Sequence, residues 1–174
     1  MPQSLAKILM HVTFSTKHRE PFLAESIRQE LEAYMAAVLQ EFESPPIILG
    51  ATADHVHILL LLSKNFPLSR IVEVAKVRTS KWIKTKGEFF RNFAWQSGYF
   101  GASLAQAAVP DVVQYIRHQQ EHHKKRTFQE ECRLFLSQNG IVYDERYAFT
   151  QGVALGFMEL CPFRAKSEGN LKRS

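Results

Sequence analysis

An α+β fold, with an antiparallel sheet covered by helices on one face, is what this sequence predicts. Three observations point to it. Strand and helix signals alternate in the order β-α-β-β-α-β; two stretches, 21–43 and 67–86, carry a single apolar stripe at helical spacing; and two apolar strands, 47–53 and 55–62, flank a turn too tight for anything but antiparallel neighbours.

Each element has its own warrant. Lys7 to Thr16 is rich in β-branched and apolar residues and reads as the first strand. From Pro21 to Glu43, the positions Leu23, Ile27, Leu31, Tyr34, Val38 and Phe42 recur every three to four residues, and Pro45-Pro46 stops that helix. Ile47 to Ala53 and His55 to Leu62 follow as strands. In the second, Val56, Ile58, Leu60 and Leu62 share one face while His55, His57, Leu59 and Leu61 share the other. Apolar residues on both faces predict a central strand covered on both sides. Pro67 to Lys86 is helical by the spacing of Ile71, Val74, Ala75, Arg78 and Trp82. Phe93 to Ser103 reads as a strand, with Gly98 and Gly101 marking a bulge or a close backbone approach. Pro110 opens a helix over Asp111 to Lys125, with an acid in its first turn and Lys124-Lys125-Arg126 at its end, as the helix dipole favours. Thr127-Phe-Gln-Glu130 is a capping-box pattern for one more helix, ended by Asn139-Gly140. This order is the split βαβ arrangement of ferredoxin-like and RRM-like folds. Residues 1–149 are expected to form one domain, and 150–174, punctuated by Gly152, Gly156, Pro162 and Gly169, a loosely held tail.

Composition narrows the class. Hydrophobic content of 45% and charged content of 22% are those of a globular protein, and no apolar run is long enough to span a bilayer. Cys132 and Cys161 lie too far apart in sequence to signal a disulfide framework or a cysteine-type zinc site, so a cytoplasmic address is expected. The net charge of +5 is concentrated: between Lys64 and Arg91 lie eight basic residues against Glu73 and Glu88. Such a segment is either a solvated helix face or a surface for a polyanion. Trp82, Phe89, Phe90 and Trp95 are interleaved with it, as stacking platforms for unpaired bases or as core.

Two motifs carry chemistry. His55 and His57, one residue apart on a strand, point the same way and bring two neutral nitrogen ligands within reach of one divalent ion. Taken alone, such a pair also arises with one imidazole in the core and one exposed. The second motif lies on the 111–125 helix, where Tyr115 and Gln119 are four apart on one face and His122 continues the stripe. The glutamine carbonyl can complete a metal site begun by the histidines, and the tyrosine, one turn earlier, would stand close to whatever that metal binds. A phenol is a poor nucleophile at neutral pH, so it needs an electrophile made more reactive, and a metal-polarised phosphodiester is one. Two imidazoles and a neutral oxygen leave the ion its full charge and open positions. Asp54, read as a strand residue, points away from His55 and is left out of the ligand set.

At this point the residues resemble a known family, the single-tyrosine HUH transposases of the insertion-sequence 200/605 type, with the related REP-associated tyrosine transposases. His55-Val56-His57 matches the His-hydrophobic-His motif, and Tyr115 with Gln119 matches the family's Tyr-x-x-x-Gln helix. Phe14-Ser-Thr-Lys-His-Arg19 and Trp95-Gln-Ser-Gly-Tyr99 are also similar to family wording, and the match runs in order from Lys7 to Tyr147. The resemblance implies that Tyr115 attacks a single-stranded DNA phosphodiester to give a 5′-phosphotyrosine link and a free 3′-hydroxyl. It implies Mg²⁺ or Mn²⁺ held by His55, His57 and Gln119, recognition of DNA hairpins, and a homodimer. It requires no small-molecule cofactor and no membrane, and is compatible with a nucleoid-associated protein of a bacterial cytoplasm. Lys17, Arg19, Arg78, Lys81, Lys84 and Trp95 are the candidate DNA contacts. Three other activities fit the same residues: a domesticated hairpin-specific nuclease of the REP type, a metal hydrolase in which Tyr115 orients water, and a non-catalytic nucleic-acid-binding module.

Overall fold

The structure, a computed structural model, describes residues 5–119 together with Glu130, Arg133, Leu136, Ser137, Gly140 and Val142. Four strands, β1 (Leu9–Ser15), β2 (Pro46–Ala51), β3 (His55–Leu61) and β4 (Phe100–Leu104), form one antiparallel sheet in the order β2-β3-β1-β4. Helices α1 (Glu25–Glu41) and α2 (Leu68–Lys84) link them, and α3 (Val109–Arg117) follows the last strand. The βαββαβ order read from the sequence is thus the order of the chain, with the first and third strands inside the sheet.

The two faces of the sheet have different jobs. Val12 and Phe14 of β1 and Val56, Ile58 and Leu60 of β3 form the core with Leu31, Met35 and Leu39 of α1 and Ile71, Val72 and Ala75 of α2. Side-chain alternation sends His11 and Thr13 of β1, and His55, His57 and Leu59 of β3, to the opposite face, where α3 packs on β2 and β3. Every residue of β3 except Leu61 is buried, as its two-sided apolar pattern requires. Helices α1 and α2 therefore cover one face, and the later helix closes part of the other.

Element ends follow local chemistry. Residues 21–24 precede the helix rather than opening it, because Leu23 donates its N–H to the Ala53 carbonyl at 2.9 Å and is fully buried. Helix α1 stops at Glu41, and Glu43 turns the chain with φ of 52° just before Pro45. The expected strand over 93–103 is shorter. Only Phe100–Leu104 is strand, and Trp95 makes an isolated bridge with Thr16. The reason is local: Gly98 sits at φ 76°, and Lys76 Nζ captures the carbonyls of both Gln96 (2.8 Å) and Gly98, so the segment bends onto α2 before pairing with β1. Gly101 is a close approach, since a Cβ there would lie 3.1 Å from Leu68 Cδ2.

Helix α3 begins at Val109 and ends at Arg117, with His118 as its C-cap and Gln119 again helical. The expected continuation to Lys125, His122 included, lies outside the described residues, as do Thr127 of the capping box, both cysteines and the tail from 150. Glu130, Arg133, Leu136 and Ser137 are helical, Gly140 follows at φ 65°, and Leu136 packs on Phe100 and Ala102. No helix among the described residues is long and apolar enough to cross a membrane.

Candidate active site

Strand β3 presents His55 and His57 side by side, their ring centroids 5.1 Å apart. Both are buried, at 1% and 4% exposure. Each ring is gripped at Nδ1. For His57 the partners are Thr13 Oγ1 at 2.6 Å and His11 Nε2 at 3.1 Å. The Thr13 hydroxyl gives its one proton to the Val56 carbonyl at 3.0 Å, so it accepts from His57, and the proton of that imidazole lies on Nδ1. For His55 the partners are Asp54 Oδ1 and Thr52 Oγ1, each at 2.7 Å. A carboxylate only accepts, which again puts the proton on Nδ1. Both rings therefore carry their lone pair on Nε2, and both Nε2 atoms are buried.

Charge around the pair is arranged in series. Arg19 clamps Asp54 Oδ2 through Nη2 at 2.7 Å and Nε at 3.0 Å. Burial by itself would raise the Asp54 carboxyl, but the hydrogen bond from His55 and the Arg19 guanidinium outweigh it and hold the group low, at about 2. His11, stacked 5.2 Å from His57, is lowered by burial to about 4 and is neutral at physiological pH.

The third contribution comes from α3. Tyr115, half-buried, stands edge-on to His57 with ring centroids 5.4 Å apart, and 6.4 Å from His11. Gln119 is 3% exposed, and its Oε1 is a buried acceptor that takes no hydrogen bond from the described residues. An unsatisfied buried amide oxygen costs on the order of 1–3 kcal/mol, which a cation on that oxygen would offset. Among the described residues no three or more His, Cys, Asp or Glu side chains converge as a metal cage. The donors on this face are of another kind, two imidazole nitrogens and one amide oxygen, and their chemistry fits an open divalent-cation site. Of the four residues singled out in sequence, His55, His57 and Tyr115 are ring neighbours in one subunit, and Gln119 lies over Gly50, the β2 residue in register with His57.

The candidate DNA contacts do not cluster there. Lys17 is exposed and lines a groove of about 320 Å³ with His18, Glu20, Phe22, Phe89 and Asn92. Arg19 is taken up by Asp54. Arg78 pairs with Glu41, and Lys81 and Lys84 are exposed on α2, the helix on the far side of the sheet from the imidazoles. Trp95 is core: its ring packs edge-on to Phe14 (4.9 Å) and Phe93 (5.0 Å), and its Nε1 donates to Thr79 Oγ1 at 2.9 Å.

Sequence reading missed His11, Thr13 and Thr52, whose types and spacing carry no motif. It also misdirected Asp54. That residue lies in the turn before β3, where strand alternation does not apply, and its carboxylate folds back onto His55.

Solved structures share this architecture. A candidate transposase from Deinococcus radiodurans R1 matches with a TM-score of 0.54 at 18% identity, over 68% of this chain and 98% of that one. A REP-associated tyrosine transposase bound to a REP hairpin matches with a TM-score of 0.55 at 14% identity, over 88% of this chain and 96% of that one. No curated protein sequence matches the chain at a significant level. The family model described as "Transposase IS200 like" matches residues 4–119, which take in β1 through Gln119 and every residue of the site just described. The chain belongs to the IS200-like transposase family.

Proposed function

We propose that this protein cleaves and rejoins single-stranded DNA through a covalent link to Tyr115. The observation that carries the reading is the approach of the Tyr115 ring to within 5.4 Å of His57, on the side of the sheet where Gln119 Oε1 is buried without a donor. In the forward step the Tyr115 phenol oxygen bonds to phosphorus and the bond from phosphorus to the 3′ oxygen breaks. The phenol loses a proton, the departing 3′ oxygen gains one, and the strand keeps a 5′-phosphotyrosine. Attack by another 3′-hydroxyl reverses the same exchange without a nucleotide cofactor. His55, His57 and Gln119 would hold Mg²⁺ or Mn²⁺. Once bound there, the ion polarises the scissile phosphate and offsets its developing charge.

The chain's own residues do the rest. Thr13, Thr52 and Asp54 hold both imidazoles with the lone pair on Nε2, so no reorganisation is needed at the moment of reaction. Helix α3 delivers the phenol, and its packing on β2 and β3 sets the distance. A hairpin-bearing single strand is the proposed substrate, supported by the fold likeness to a hairpin-bound tyrosine transposase. Lys17 and its groove are the proposed backbone contact, and a homodimer is the proposed assembly.

An end-labelled hairpin oligonucleotide with single-stranded flanks tests the reading. With Mg²⁺ or Mn²⁺, the wild-type chain should form an SDS-resistant adduct, and Tyr115→Phe should form none while binding the oligonucleotide within about twofold. Cleavage without an adduct would instead assign Tyr115 to orienting water, and binding without cleavage would make the chain a recognition module.

A further inference from the structure

Gly50 lies in β2, in register opposite His57. Its φ is not positive, so the backbone there would accept any residue and the absence of a side chain needs another reason. The reason is space. A Cβ built on Gly50 would lie 2.6 Å from Gln119 Nε2, 2.8 Å from Ile116 Cγ2 and 3.3 Å from the Ile116 carbonyl oxygen. The first two are closer than non-bonded carbon and nitrogen atoms can approach, and the Ile116 backbone cannot swing aside as a flexible chain end can.

We infer that Gly50 is a positioning residue for the divalent-cation site, acting through its missing side chain: it is the seat that lets α3 lie low enough on the sheet for Gln119 to face the His55–His57 pair. The nitrogen end of the Gln119 amide rests over Gly50, which aims the other end, the buried Oε1, away from β2. Ile116, 2% exposed, fills the rest of the space over Gly50. Any larger residue at 50 lifts both side chains, because both pack over the same Cα. Tyr115 leans against His57 and His11, outside the Gly50 contact, so the change falls on the amide ligand before it falls on the phenol.

The inference rests on the metal reading above, and one experiment separates the two. Mn²⁺ affinity is measured by calorimetric titration, without DNA, on the full-length wild type, Gly50→Ala, Gln119→Ala and the double variant. Both single variants should lose about tenfold or more in affinity, and the double variant should lose no more than the worse single, since each removes the same ligand. Wild-type affinity in Gly50→Ala, or losses that multiply, would overturn the role of Gly50 while leaving the metal site intact. No Mn²⁺ binding by the wild type, or an unchanged Gln119→Ala, would overturn the site itself and this inference with it. If Gly50→Ala alone does not fold, Gly50→Ala with Ile116→Ala removes the Cγ2 collision and keeps the methyl in the glutamine's seat. That variant should still bind Mn²⁺ about tenfold more weakly than Ile116→Ala, and equal affinity would overturn the proposal.

Discussion

Thr13 Oγ1 lies 2.6 Å from His57 Nδ1 and spends its only proton on the Val56 carbonyl. The hydroxyl is thereby fixed as an acceptor, and the ring is fixed in one tautomer. Thr13→Val keeps the shape and removes the acceptor. It should weaken Mn²⁺ binding by about 10- to 100-fold with little loss of thermal stability. Calorimetric titration against the melting midpoint checks this, and a normal affinity would show that His11 and packing suffice to orient His57.

Tyr115 stands against the His57 of its own chain. Mixing Tyr115→Phe with His57→Ala chains should therefore restore no adduct formation, whatever the oligomeric state. Recovery of a quarter or more of wild-type adduct in the mixture would mean that the helix serves a second subunit.

Lys17 and Trp95, both candidate DNA contacts by sequence, should behave oppositely. Lys17→Ala is expected to weaken single-strand binding and reduce the salt slope by about one, with stability unchanged. Trp95→Phe loses core volume and the hydrogen bond to Thr79, so it should cost about 1–3 kcal/mol in urea unfolding and leave DNA affinity within about twofold.

Lys76 supplies a pH signature of folding. Burial lowers its ammonium to about 8, below the ordinary 10.5. Between those values the unfolded chain binds more protons than the folded one, so this group makes stability rise with pH across that window, by about 1 kcal/mol per unit. Lys76→Met should lack the rise. Urea midpoints at pH 7.5 and 9.5 for both chains give the test, and parallel slopes would refute it.

Much of this was written in the pattern of the chain. The two-sided apolar register of 55–62 places β3 inside the sheet, and the same alternation puts His55 and His57 on one face. Tyr115 and Gln119 were readable because a helix repeats every 3.6 residues. What stayed hidden depends on partners distant in sequence. Thr13 and His11 matter only because β1 pairs with β3, and a threonine on a strand announces nothing. The basic run from 64 to 91 reads equally as a solvated helix face or a polyanion surface, and Arg78 and Lys86 are matched by Glu41 and Glu30 of α1, across a helix pair that composition does not reveal. Trp95 was ambiguous for the same reason: only the fold shows that Phe14 and Phe93 cover it.

Strand β3 is laced to a neighbour on each side, whereas α3 touches the sheet through a few side chains and breaks at His118. The centre thus joins an anvil to a hammer: the imidazoles are held by the sheet, and the reach of the phenol is set by how the helix rests on it. Changes confined to 109–119 can therefore shift the phenol while leaving the imidazoles where the sheet holds them.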